Sequence, residues 1–157
     1  QGFTNDEKSW PRDGEIDIME HMYSNQDNQI QATVHYGNDY QNHKYIWGVE
    51  TVPQNVNFVD KFHSITFRWV NNKLEFYLDT FDQPFHSIDR STAQDFMNGT
   101  YWPFNESFYL IMNVAVGGTN GGAINNNKYC QDAGCTNLAD PDKGRLLIDY
   151  IEVKSIN

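Results

Sequence analysis

Apolar and polar residues alternate along much of this chain, and the alternation predicts strands. Residues 15–18, Glu-Ile-Asp-Ile, have the two-residue period of a half-buried strand, in which positions i and i+2 share a face. Residues 29–36 set Ile30, Ala32, Val34 and Tyr36 against Gln31, Thr33 and His35. Residues 44–52 read as another strand, and residues 62–70 alternate again, with Phe62, Ser64, Thr66, Arg68 and Val70 opposite His63, Ile65, Phe67 and Trp69. Asn71-Asn72 follows, a pair that tolerates the left-handed conformation a tight turn needs. Residues 73–79 then return as the hairpin partner, with Leu74, Phe76 and Leu78 on one face.

Residues 107–116, SFYLIMNVAV, form a nearly continuous apolar run and predict a central strand covered on both sides. Residues 145–154 alternate and are expected to close the domain. One helix is expected over residues 91–97, capped by Ser91, completed as a capping box by Gln94 and ended by Gly99. Residues 117–143 read as a long polar loop. Many strands, one short helix and long loops predict a single all-β domain over residues 1–157, an antiparallel sandwich of two sheets.

Composition narrows the partners. The 157 residues carry a formal charge of −10 with no basic cluster, which argues against nucleic acid or an anionic membrane surface. No apolar run approaches the ~18 residues of a membrane-spanning helix. The two cysteines, Cys130 and Cys135, are too widely spaced for a CxxC pair, and read either as a local disulfide closing a polar loop or as two free thiols. Asn98 and Asn105 each open an N-glycosylation sequon, which adds slight weight to a secreted origin. The chain opens without Met in what reads as a loop, and the domain is expected to lack its N-terminal strands.

The candidate chemistry lies in Gly14-Glu15-Ile16-Asp17-Ile18-Met19-Glu20. Glu15 and Asp17 share a strand face. Strict alternation puts Glu20 on the other, and a one-residue β-bulge after Asp17 would return it to the first. Like charges in such a row raise one another's pKa, a cost that an acid/base site can use. Cleavage of a glycosidic bond commonly employs two carboxyl groups, one protonating the leaving oxygen and one attacking the anomeric carbon or activating water. Asp17 between the two glutamates would help to keep Glu20 protonated.

GEIDIME, preceded by Trp10-Pro11, resembles the signature of glycoside hydrolase family 16, in the bulged form of its laminarinase-like branch. The resemblance continues through Thr33-Val34-His35-Tyr36-Gly37, the hairpin from Phe62 to Asp79, Trp102-Pro103-Phe104 followed by FYLIMNVAVGG, and LIDYIEV at residues 147–153. It implies a concanavalin-like β-jelly-roll with a substrate cleft on its concave face. It also implies that Glu15 is the nucleophile, Asp17 the assisting acid and Glu20 the general acid/base. Trp10, His35 and Trp102 match substrate-binding positions, and Asp149 matches a ligand of the structural calcium ion that some members hold; catalysis needs no cofactor.

The resemblance implies a secreted retaining endo-β-1,3-glucanase acting on laminarin-type polysaccharide. A non-catalytic β-glucan-recognition or matrix protein, and a transglycosylase of the same fold, are the alternatives. The strands such domains carry before the catalytic one are expected from a further N-terminal segment or a second chain. Without them the chain would expose sheet edges and part of its core. Trp47 and Trp69 are expected in the core. His21, His43, His63 and His86 show no ligand spacing and are expected to be structural or on the surface.

Overall fold

In the computed structural model, alternation becomes two three-stranded antiparallel sheets. The structure describes residues 9–22, 28–53, 58, 61–125 and 146–155. One sheet has the order β1-β2-β3, with β1 Glu15–Glu20, β2 Gln29–Tyr36 and β3 Lys44–Thr51. The other has the order β4-β5-β6, with β4 Ile65–Val70, β5 Lys73–Leu78 and β6 His86–Asp89. The expected turn between β4 and β5 forms with positive φ at both Asn71 and Asn72.

The alternation in β2 drives the packing. Ile30, Ala32 and Val34 are fully buried and Tyr36 nearly so, while His35 on the opposite face stays half-exposed. Ala32, Val34 and Tyr36 meet Leu74 and Phe76 of β5, Ile88 of β6, Phe96, Trp102 and Phe104 in one apolar cluster. The sheets approach closely where β3 carries Gly48, since a Cβ there would lie 2.5 Å from the His86 ring. Tyr36 donates its hydroxyl to Asp95 Oδ2 at 2.7 Å and Lys44 Nζ lies 3.2 Å from Asp95 Oδ1, which ties the following helix to β2 and β3.

Helix α1 is shorter than its sequence suggests. It spans Gln94–Met97 and its cap residue is Ala93, with no side-chain cap bond. Ser91 does not cap it, because its N–H and hydroxyl both donate to Asp89 Oδ1, at 2.8 and 2.6 Å. A local turn of this kind competes with the helix for the same groups. Gly99 does end it, at φ 91°, with its N–H donating to the Phe96 carbonyl.

The described residues fall into two units. The larger carries both sheets and runs to Ile111; the smaller comprises Met22 and the described residues from Met112 onward. In the smaller unit, α2 Gly118–Gly121 is a single helical turn. Two expected strands are corrected here. Neither residues 107–116 nor residues 146–155 form a strand, and residues 109–116 and 146–155 are exposed. An extended segment becomes a strand only when a neighbour takes up its N–H and C=O groups, and no described strand pairs with either. The apolar pattern is a demand for a partner and does not supply one. Among the described residues no helix is long and apolar enough to cross a membrane.

Candidate active site

β1 and β2 pair with Glu15 opposite His35, Ile16 opposite Val34 and Asp17 opposite Thr33; the register then slips between Asp17 and Glu20, so that Glu20 stands opposite Gln31. This is the expected bulge. Gln31, Thr33 and His35 lie on the face away from the core, so Glu15, Asp17 and Glu20 share that face. Thr33 confirms it, since it sits opposite Asp17 and donates its hydroxyl to Glu20 Oε2 at 3.0 Å.

Each carboxylate has its own holder. Trp10 Nε1 donates to Glu15 Oε2 at 2.7 Å. Asp17 Oδ2 lies 3.0 Å from His35 Nε2. One ligand-type atom from each of Glu15, Asp17 and His35 falls within 4.8 Å of the others, a spacing that would also accept a cation. Burial, and then the Asp17 charge, push the Glu20 carboxyl above its ordinary value, with the Thr33 bond opposing them. Burial works against a charged His35, but the hydrogen bond and charge of Asp17, with Glu15 and Glu20 behind it, raise the imidazole overall. The arrangement therefore favours a proton on Glu20 beside the Asp17–His35 pair.

Thr33→Val keeps the shape of a buried position and removes the hydroxyl that stabilises ionised Glu20. The Glu20 pKa then rises, the group stays protonated to higher pH, and any activity that needs its proton keeps its alkaline limb to higher pH. A profile of kcat/KM against pH for both proteins checks this; an unmoved or lowered alkaline limb would show that Thr33 does not act on Glu20.

Several sequence expectations change at this face. Trp102 is 2% exposed, edge-on to Phe96 and Phe104 at 4.7 and 4.9 Å, so it belongs to the core and offers no face to a sugar. Its indole N–H donates to Asn105 Oδ1 at 3.2 Å. Trp47, expected in the core, is 54% exposed. It stands opposite Thr33 in the β2–β3 register, and Tyr45 stands opposite His35, so both rings continue the acid face onto β3. Trp69 is partly exposed and meets Phe108 edge-on at 5.5 Å.

His43 is the residue that sequence reasoning missed. It packs against Trp10 with ring centroids 4.6 Å apart, and its Nε2 lies 2.8 Å from His35 Nδ1. The signal was present: a hairpin between β2 and β3 places position 43 opposite Gly37, on the side that also carries His35.

The remaining candidates lie elsewhere. Asn98 and Asn105 are exposed. Asp149 is exposed and belongs to no group of three His, Cys, Asp or Glu side chains with metal-holding spacing among the described residues. Cys130 and Cys135, and with them the disulfide reading, lie outside the described residues.

The sequence matches the family model "Glycosyl hydrolases family 16" over residues 3–137. It is 34% identical over 114 residues to a glucan endo-1,3-beta-glucosidase of Cryptopygus antarcticus, covering 69% of this chain and 40% of that protein. It is 30% identical over 152 residues to a beta-glucanase of Rhodothermus marinus, covering 92% of this chain and 45% of that one. A beta-1,3-glucan-binding protein of Penaeus monodon is 34% identical over 137 residues, covering 71% of this chain and 35% of the relative. The chain thus spans less than half the length of each of these proteins.

Proposed function

Because the chain belongs to glycosyl hydrolase family 16, we propose that it is part of the catalytic domain of a secreted retaining endo-β-1,3-glucanase. The observation that carries the reading is the bulge in β1, which gathers Glu15, Asp17 and Glu20 on one face in three different environments. Glu15, fixed by the Trp10 indole, attacks the anomeric carbon. Glu20, held above the ordinary carboxyl range, gives its proton to the departing oxygen. The covalent glycosyl-enzyme is then hydrolysed by a water molecule whose proton Glu20 takes back. Asp17 stays paired with His35, and its effect on Glu20 favours the protonated acid.

Trp10, Tyr45 and Trp47 give the face aromatic surfaces on which a flat, neutral sugar ring can stack. The net charge of −10 does not oppose such a ligand. The similarity to a glucan-binding protein supports a second reading, recognition of the polysaccharide without turnover. The complete acid row favours hydrolysis over it.

The test is incubation of the full-length protein with laminarin. New reducing ends, with short oligosaccharides from internal cleavage and β-configured at first release, are the expected result. Binding without release would give the recognition reading. Products longer than the supplied oligosaccharides would indicate transfer to a sugar acceptor. No binding and no release would reject this substrate, and agarose would be assayed next.

A further inference from the structure

Two separate chains of contact run back from the acid row, and both end on His43. One passes from Glu15 Oε2 to Trp10 Nε1 at 2.7 Å, and from the Trp10 ring to the His43 ring at 4.6 Å between centroids. The other passes from Asp17 Oδ2 to His35 Nε2 at 3.0 Å, and from His35 Nδ1 to His43 Nε2 at 2.8 Å. We propose that His43 is a positioning residue that holds the Trp10 donor against Glu15 and completes the hydrogen bonding of the imidazole that faces Asp17. The proposal rests on the reading of Glu15 and Asp17 as catalytic groups, and extends it to a side chain outside the acid strand.

The turn that delivers His43 is built for one geometry. Gly37 has φ 130°, and a Cβ there would lie 2.3 Å from the Asn42 carbonyl oxygen, so that no other residue lets the chain close at this point. Asp39 then caps the short 3₁₀ turn Tyr40–Asn42, accepting from the N–H groups of Gln41 and Asn42 at 2.9 and 3.0 Å and from the Asn42 side chain. His43 leaves this turn directly into β3. The Tyr40 ring also lies beside Trp10, with centroids 5.9 Å apart.

An imidazole suits the place because it answers both protonation states of His35. When His35 is neutral with its proton on Nε2 for Asp17, its Nδ1 needs a donor, and His43 Nε2–H is one. When His35 is a cation, its Nδ1–H needs an acceptor, and the other tautomer of neutral His43 provides it. His43 is itself held below its ordinary pKa, first by burial and then by the neighbouring His35 charge, with Glu15 opposing. It therefore stays neutral while His35 charges. The groups that face the pair are Glu15, Asp17 and Glu20 from β1, Tyr45 from β3, and the Trp10 and Tyr40 rings. The acids favour a cation on His35, and the aromatic rings are neutral.

The test uses two variants of the full-length protein. His43→Phe keeps a flat ring against Trp10 and removes the hydrogen bond; His43→Gln keeps a donor and acceptor and removes the ring. The His35 imidazole is titrated by NMR, and laminarin kinetics are run alongside. In His43→Phe both states of His35 lose a partner, but the cation loses the stronger, charge-assisted bond, so His35 titrates at lower pH than in the wild type, and His43→Gln recovers most of the shift. Each variant loses one of the two contact chains, so kcat falls in both by roughly tenfold or more while KM stays within about twofold. An unchanged His35 titration in His43→Phe, or a His43→Gln protein that titrates like His43→Phe, overturns the proposal. A wild type without activity on any glucan would sink the glucanase reading, and the titration would still decide what His43 does.

Discussion

Glu15→Gln abolishes laminarin hydrolysis, lowering kcat by roughly 10⁴-fold or more, the scale on which loss of a covalent nucleophile is felt. The substitution is nearly isosteric. A glutamine amide oxygen still accepts from Trp10 Nε1, so the 2.7 Å contact that aims the side chain survives. What goes is the negative charge and lone-pair strength needed to form a bond to the anomeric carbon. Laminarin affinity should therefore change by only a few-fold, measured by titration calorimetry, while reducing-end release falls to background. Retention of more than about a hundredth of wild-type kcat would remove Glu15 from the nucleophile role. Glu15→Ala sharpens the assignment, because it leaves a space on the side of the sugar from which Glu15 attacks. Added azide then displaces the leaving group from that side and gives an α-configured glycosyl azide.

That prediction rests on β1, where sequence and structure agree. The register between β1 and β2 slips where three acids on one face require it. It was legible because Glu15, Asp17 and Glu20 have a spacing that an unbroken strand would waste, and because β2 supplies Thr33 and His35 on the matching side. The hairpin from β4 to β5 was legible for the same kind of reason: alternation on both arms with a turn pair between them. Local pattern and local chemistry point the same way in both places.

What failed to be legible depends on partners that only the folded chain supplies. Residues 107–116 and 146–155 carry the pattern of strands, yet the ladder that would make them strands is a property of a neighbour. Ser91 looked like a cap because its type is right, but Asp89 two residues earlier takes its hydrogen bonds first. Trp102 looked like a sugar platform by its place in a motif. Its burial follows from Phe96 and Phe104 packing edge-on around it, which only the folded chain shows. Spacing along the chain gives His43 no ligand pattern. Its importance comes from the hairpin that sets it beside His35 and Trp10. Trp47 is expected in the core by its size and apolar character, and only the register with Thr33 puts it on the acid face.

The second large effect belongs to Glu20. Glu20→Gln should lower kcat on laminarin by about 10²- to 10⁴-fold, the usual contribution of a general acid, and should also remove the alkaline limb from the pH profile. The limb is expected because Glu20 has to carry a proton in the free protein. Burial and the Asp17 charge hold its pKa above the ordinary carboxyl value, so the limb lies at correspondingly higher pH than an exposed glutamate would give. A glutamine cannot lose that proton, and the dependence disappears. The variant separates the two halves of the reaction. A glucan bearing an activated aryl leaving group departs without protonation, so the first step survives in Glu20→Gln while the second, which needs Glu20 as a base toward water, remains slow. A burst of released phenol, stoichiometric with protein and followed by a slow steady state, is the expected trace, and mass spectrometry should find the glucosyl chain on Glu15. If the variant shows no burst and still has an alkaline limb at the wild-type position, the proton comes from another group, and Glu20 is left as a neighbour of the site.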